Sequence, residues 1–135
     1  MHSPIVVLVA DDLPMDRAAL VDAVLAAHPA AQIIEANSGR QAVRLMKCEP
    51  RPQLAIFDRG MSPMTGDAAA AAAHRMGIEA HVVSACVPFS KAHRADTTDK
   101  RDAPWAIARW IRGVLESQAA AQRRQLPWWR RLALR

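Results

Sequence analysis

The stretch PIVVLVADD, residues 4–12, decides the fold, because a continuous run of β-branched and apolar residues ends there in two carboxylates. A run of this kind is typical of a strand that is buried on both faces of a parallel sheet. Three later segments have a similar character, and these are AQIIEA (31–36), PQLAIFD (52–58) and EAHVVSA (79–85). The sequence therefore predicts four parallel strands.

A helix is predicted after each of the first three strands. Residues 16–27 place Leu20, Val24 and neighbouring apolar residues on one helical face, and Ser38 is a suitable N-cap for a second helix. An alanine-rich third helix is predicted over residues 63–76. This alternation predicts an α/β fold with a doubly wound parallel sheet, in which functional groups lie just past the carboxyl ends of the strands.

The alternation stops after the fourth strand. No apolar run lies between Phe89 and Trp105, so we expect a polar loop over residues 90–103 in place of a fifth strand and most of the helix before it. From about Pro104 the chain is expected to resume as a helix. The buried face of that helix is predicted to consist of Ile107, Ile111, Val114 and Leu115.

The composition indicates one domain followed by a basic tail. The chain has 135 residues, of which 51% are apolar, and five arginines but no acidic residue follow Glu116. We expect residues 1–116 to form the domain and residues 117–135 to form a flexible tail rich in tryptophan and arginine. Neither a signal peptide nor a membrane span is recognisable, and Cys48 and Cys86 lack metal-ligand spacing. A reduced, cytoplasmic location is therefore expected.

Acidic residues stand at the predicted carboxyl ends of two strands. Asp11 and Asp12 follow the first strand, and Asp58 ends the third. Because such strand ends meet at one edge of a parallel sheet, these carboxylates can together hold a hard cation such as Mg²⁺. The alternative is that they are solvated or cap the helices that follow.

The segment DRGMSPMTG, residues 58–66, resembles the phosphoacceptor signature of CheY-like response-regulator receiver domains. The resemblance covers residues 4–116 and implies a CheY/flavodoxin-like fold. It implies that Asp58 is phosphorylated by a histidine kinase or a phosphotransfer protein, and that Mg²⁺ is held by Asp11, Asp12 and Asp58. It also implies that Ser84 supplies the switch hydroxyl and that Lys100 is the family's lysine before the last helix.

Residues 91–113 combine arginines, aspartates and tryptophans in place of the expected helix and strand. On the last helix, Trp105, Arg109 and Arg112 are predicted to share one exposed face. Arginine can bind the O6 and N7 edge of guanine, Asp96 or Asp102 can accept from guanine N1 and N2, and tryptophan can stack on the base. The pattern predicts a guanine-nucleotide site, with a solvated, salt-bridged loop as the alternative.

A receiver-like domain with an arginine-rich insert around RADTTDKRDAPW, residues 94–105, is similar to the Cle proteins, which are CheY-like effectors of cyclic di-GMP. This resemblance implies that the fourth helix and fifth strand are degenerate or replaced by the arginine-rich segment 90–113, which binds cyclic di-GMP. It implies docking to the flagellar motor switch, control of motility and surface attachment, and recruitment to the flagellated pole, without enzymatic turnover. The residues implied for the cyclic di-GMP site are Ser90, Arg94, Asp96, Arg101, Asp102, Trp105, Arg109 and Trp110.

Two other functions remain open from the sequence. The chain could be an ordinary single-domain response regulator that is phosphorylated on Asp58, or a nucleic-acid-binding module led by its tail. The second is disfavoured because residues 1–90 carry 9 acidic and 7 basic side chains, so no specific nucleic-acid partner is expected.

The tail segment QRRQLPWWRRLALR, residues 122–135, interleaves tryptophan and arginine. The sequence leaves four possibilities open for it. It could be disordered, contact a partner, bind nucleic acid nonspecifically, or lie at an anionic membrane surface.

Overall fold

The computed structural model describes residues 4–85 and 97–134. Five strands form one sheet in the order β2-β1-β3-β4-β5, and every neighbouring pair is parallel. The strands are β1 (Val6–Ala10), β2 (Gln32–Ala36), β3 (Leu54–Asp58), β4 (Glu79–Ser84) and β5 (Thr97–Asp99). The prediction of a doubly wound parallel α/β sheet is confirmed.

Helices cover both faces of the sheet. They are α1 (Pro14–Ala27), α2 (Gly39–Met46), α3 (Gly66–Arg75), α4 (Ala103–Gln125) and α5 (Trp128–Ala133). Apolar residues of α1 and α4 pack on one face with Val7, Val9 and Ile56, whereas those of α2 and α3 pack on the other with Leu8 and Phe57. The two apolar sets alternate along β1, as strand geometry requires for a sheet buried on both sides.

Local sequence explains where the first helices begin. The Ser38 hydroxyl accepts a hydrogen bond from the Gln41 amide at 3.1 Å, and the Thr65 hydroxyl accepts one from the Ala68 amide at 3.2 Å. Pro14 stands at the start of α1, where its missing N–H costs nothing. The three β-α units predicted from the sequence therefore have the expected local signals.

The expectation that the chain lacks a fifth strand is wrong for residues 97–99. These residues pair in parallel with β4, Thr98 opposite Val83 and Asp99 opposite Ser84. A short edge strand can be polar because it needs backbone hydrogen bonds on one side only, so no apolar run marks it. A single turn of 3₁₀ helix (Lys100–Asp102) follows, and the predicted polar loop therefore does not extend over residues 97–102. Residues 86–96, where a degenerate helix was expected before β5, lie outside the described residues.

The last long helix continues past the expected end of the domain. α4 buries Ile107 and Ile111 as predicted and half-buries Val114 and Leu115. It then runs through Glu116 to Gln125, and α5 follows after Pro127. Most of the segment expected to be a tail is thus helical in the structure, while its flexibility stays a prediction.

Gly66, the first residue of α3, lies against the backbone of β3. A β-carbon there would contact the Asp58 carbonyl oxygen and lie 2.6 Å from the Asp58 carbonyl carbon and 2.8 Å from the Arg59 Cα atom. These neighbours are backbone atoms, so they cannot yield as a flexible side chain would. The close approach sets the position of α3 beside the end of β3.

We predict that Gly66→Ala lowers the free energy of unfolding by about 2 kcal/mol, the usual cost of overpacking a tight contact. The matched control is Gly113→Ala on α4, where a β-carbon would meet nothing within 4 Å. That control should gain up to about 1 kcal/mol, because alanine is the better helix former. Urea unfolding followed by circular dichroism measures both changes, and equal stability of the two variants would contradict the packing argument.

Candidate functional site

Three carboxylates meet at the carboxyl end of the sheet. Asp11 and Asp12 follow β1, and Asp58 is the last residue of β3, the strand paired with β1. One ligand oxygen from each of the three residues lies within 4.8 Å of the others. Asp11 and Asp58 are buried, whereas Asp12 is exposed. The sequence-based prediction that these residues share one site agrees with this geometry.

The ammonium group of Lys100 lies among these carboxylates. Its Nζ atom is 2.9 Å from Asp11 Oδ2 and 3.3 Å from Asp58 Oδ1. It also donates a hydrogen bond to Asp16 Oδ2 in the first turn of α1, at 2.7 Å. Lys100 directly follows β5, which is separated from β3 by β4. The position of β5 therefore places the Lys100 ammonium beside Asp58.

The pKa values of Asp11 and Lys100 are both raised, for different reasons. Burial raises the pKa of Asp11, and hydrogen bonds from the Leu13 amide and from Lys100 offset only part of this effect. Burial alone would lower the pKa of Lys100, but its hydrogen bonds to Asp16 and Asp11 and the charge of Asp58 outweigh burial and raise that pKa. Lys100 is therefore firmly cationic at neutral pH.

The backbone around Asp11 is held in place by several hydrogen bonds. Its Oδ1 atom accepts one from the Leu13 amide at 3.0 Å, and its own amide donates to the Ala36 carbonyl at 3.1 Å. Its carbonyl accepts from Arg17 Nη1 at 2.9 Å, and Arg17 Nε pairs with Glu35 at 3.1 Å. These contacts tie the loop after β1 to both α1 and β2.

Asp58 and its neighbours line a cavity of about 530 Å³. Ser84, the last residue of β4, is buried and lines the same cavity, as does Lys100. The cavity is bounded by Asp12, Leu13, Asp16, Asp58, Arg59, Gly60, Ser84, Ala85 and Lys100. The residues that the receiver resemblance assigns to phosphorylation and switching thus surround one opening.

The donor set fits a hard divalent cation such as Mg²⁺. Carboxylate oxygens are the ligands that Mg²⁺ prefers, and Asp11, Asp12 and Asp58 bring three of them together. Asp11 Oδ2 is buried, and its partner among the described residues is the Lys100 ammonium, 2.9 Å away.

A second, larger cavity of about 930 Å³ lies between the β5 edge and α4. Four of the residues predicted for nucleotide binding line it, and these are Asp102, Trp105, Arg109 and Trp110. The indole of Trp105 is 65% exposed, and Arg109 Cζ lies 5.5 Å from the centre of that ring. A tryptophan and an arginine in cation-π contact therefore lie at the cavity wall.

Other members of the predicted nucleotide set are placed differently. Arg101 donates two side-chain hydrogen bonds to Asp99, at 3.1 Å and 2.9 Å, and these bonds lower the pKa of Asp99. Among the described residues, Arg101 does not line the larger cavity, and neither does Arg112, which was predicted only to share an exposed face with Trp105. Ser90, Arg94 and Asp96 lie outside the described residues.

Trp110 lies at the boundary between the buried core and the surface of α4. It is half-buried, and its ring centre lies 5.0 Å from that of the buried His81 on β4. His81 Nε2 is in turn 2.7 Å from the hydroxyl of Thr98 on β5. Trp110 and His81, which line the larger cavity, are therefore linked by contacts to Thr98 on the edge strand β5.

Sequence reasoning missed Asp16, His81 and Thr98. Asp16 had a signal, because it lies in the first turn of the helix that follows the acidic pair. His81 and Thr98 had none, since His81 reads as part of a buried strand and Thr98 belongs to a strand that the pattern did not reveal.

Solved structures of receiver domains resemble this chain throughout the domain. The chemotaxis protein CheY4 of Vibrio cholerae is 18% identical, with a TM-score of 0.67 over 83% of this chain and 99% of that one. A CheY-like receiver domain protein from Methanospirillum hungatei is 18% identical, with a TM-score of 0.67 over 88% of this chain and 99% of that one. A LuxR-family DNA-binding response regulator from Staphylococcus aureus is 22% identical, with a TM-score of 0.68 over 82% of this chain and 98% of that one.

No family model matches the chain, and no curated protein matches it. At these identities the solved structures establish the fold alone. The parallel order β2-β1-β3-β4-β5 and the structural matches agree, and the chain has the fold of CheY-like receiver domains.

Proposed function

We propose that the protein is a response-regulator receiver that accepts a phosphoryl group on Asp58. One observation carries the proposal, namely the buried Asp58 carboxylate in a cavity that Lys100, Asp12 and Asp16 also line. The donor would be a histidine kinase or a phosphotransfer protein, because the receiver fold is shared with response regulators. The protein would act as an acceptor and signal carrier, without enzymatic turnover.

The chemistry on Asp58 is a phosphoryl transfer. A carboxylate oxygen of Asp58 forms a bond to phosphorus while the bond from phosphorus to the donor breaks, and the donor atom leaves with the electron pair. Lys100, 3.3 Å from Asp58 Oδ1, would pair with an incoming phosphoryl oxygen. Ser84, at the wall of the same cavity, would donate its hydroxyl to another.

Asp11, Asp12 and Asp58 would hold a Mg²⁺ ion beside this reaction. Bound there, Mg²⁺ neutralises part of the charge that accumulates on the phosphoryl oxygens. The carboxylates of Asp11 and Asp12 lie close enough to Asp58 to share one cation with it. Lys100 alone does not balance this acidic group.

We predict that purified protein incubated with acetyl phosphate and Mg²⁺ gains the mass of one phosphoryl group, and that Asp58→Asn does not. The matched control is Asp67→Asn, which removes an exposed aspartate near the site that pairs with Arg59 at 2.8 Å. That control should gain the same mass as the wild type, measured by intact-protein mass spectrometry. Equal labelling of Asp58→Asn, or no labelling of the wild type with or without Mg²⁺, would overturn the assignment.

We propose binding of cyclic di-GMP as a second candidate function, on a separate observation. Trp105 and Arg109 are in cation-π contact at the wall of the 930 Å³ cavity, and Asp102 lines it too. A tryptophan and an arginine plane stack on purine faces, while arginine also binds phosphate and the guanine edge. These side chains at one cavity support the proposal that a guanine dinucleotide binds there.

Docking to the flagellar motor switch would be the output of this second function. It would link the nucleotide to motility and surface attachment and would bring the protein to the flagellated pole. It follows only from the resemblance to the Cle proteins, so it depends on the binding experiment below.

We predict that cyclic di-GMP binds the wild-type protein and that Trp105→Ala and Arg109→Ala each weaken binding by about tenfold or more, because each removes a stacking or charge contact. Arg112→Ala is the matched control, since this exposed arginine of α4 does not line the cavity in the described structure. It should bind within about twofold of the wild type under the same salt. Isothermal titration calorimetry, with GTP and cyclic di-AMP in parallel, gives the affinities.

Absence of binding, or equal affinity for GTP and cyclic di-GMP, would refute the second function. Titration of Asp58→Asn separates it from the first function. Unchanged nucleotide affinity in that variant, together with lost phosphorylation, would show two independent sites.

A further inference from the structure

The C-terminal helix α5 carries an exposed aromatic surface that neither proposed function uses. Trp128, Trp129 and Leu132 are 66%, 55% and 55% exposed, which is unusual for such large apolar side chains. At about 100° per residue these three side chains lie within roughly 100° of one another around the helix. α5 therefore has one continuous apolar face, open to its surroundings.

Arginines occupy the rest of the same helix. At the same spacing, Arg130 and Arg131 project about 200° and 300° from Trp128, on the side away from Leu132. Arg130 also folds over the ring of Trp129, with its Cζ atom 5.3 Å from the ring centre. Within the described residues, no carboxylate pairs with Arg130 or Arg131. The helix is amphipathic, and its polar side is uniformly cationic.

The exposed second half of α4 lies between the core of the domain and α5. Ile107 and Ile111 fix the first half of α4 to the sheet, whereas the residues from Glu116 onward are largely exposed. Ten residues of helix, Glu116 to Gln125, span about 15 Å. Arg123 and Arg124 near the end of this span add positive charge beside α5.

We propose that α5 and the end of α4 form a docking element for an anionic lipid surface. Tryptophan and leucine on one side would enter the boundary between headgroups and acyl chains, while the arginines pair with anionic headgroups. Tryptophan is suited to this boundary because its ring is apolar and its N–H is polar. Among the described residues no helix is both long and apolar enough to cross a bilayer, so the element would lie along the surface.

Lipid is favoured over nucleic acid by the apolar residues and by the charge of the domain. Leu132 and Leu134, each more than half exposed, would gain little from a phosphate backbone but would be removed from water by acyl chains. Residues 1–90 carry 9 acidic and 7 basic side chains, so this part of the chain has a slight negative charge, which disfavours an extended nucleic-acid contact.

The test is co-sedimentation of the full chain with vesicles of phosphatidylcholine alone or mixed with phosphatidylglycerol. We predict binding to the mixed vesicles only, weakened about tenfold or more by Trp129→Ala and by the double change Arg130→Gln and Arg131→Gln. Trp105→Ala is the matched control for tryptophan, because that residue is also exposed and also lies beneath an arginine. Arg40→Gln with Arg44→Gln, which removes two exposed arginines of α2, is the control for charge.

Binding that these controls weaken as much as the α5 variants would overturn the proposal, because general charge would then account for it. No binding to mixed vesicles would overturn it as well. A parallel titration with single-stranded RNA gives the competing outcome, since loss of RNA binding in Trp129→Ala without vesicle binding would assign the element to nucleic acid. None of these results depends on whether Asp58 is phosphorylated or whether cyclic di-GMP binds.

Discussion

The ion pairs of Lys100 hold the carboxyl end of the sheet together. Its ammonium group pairs with Asp11 in the loop after β1, with Asp16 in the first turn of α1 and with Asp58 at the end of β3. Two of these three carboxylates are buried, so losing the cation would leave negative charges close together with little water around them. The acidic site and the short strand that delivers Lys100 therefore depend on each other.

This dependence gives the edge strand a role beyond its three residues. The Thr98 hydroxyl is hydrogen-bonded to His81 on β4, and the His81 ring contacts the Trp110 ring on α4. Asp99 precedes Lys100 in the chain. Thr98 and Asp99 of β5 line the larger cavity, and Lys100, the next residue in the chain, lines the acidic cavity. A change at Asp58 that moved Lys100 would have a short physical route to Trp105 and Arg109.

The sequence was sufficient to predict those elements whose burial produces a recognisable apolar pattern. Buried strands on both sides of a parallel sheet are continuous apolar runs, so β1 to β4 and the clustering of Asp11, Asp12 and Asp58 could be predicted. It was insufficient at β5, because a short polar edge strand has no such run. Asp16 was missed as well, although its position in the first turn of α1 was a signal. The continuation of α4 beyond Glu116 was also missed, since an exposed helix has no buried face to reveal it.

The most direct measurement of the central claim is fluorine NMR of the protein with beryllium fluoride and Mg²⁺, because beryllofluoride on a carboxylate imitates an acyl phosphate. If the acidic cavity is a phosphoryl-accepting site, the wild type will show protein-bound fluorine resonances that need Mg²⁺ and are absent from Asp58→Asn. Resonances that are missing from both proteins, or identical in both, would contradict the account.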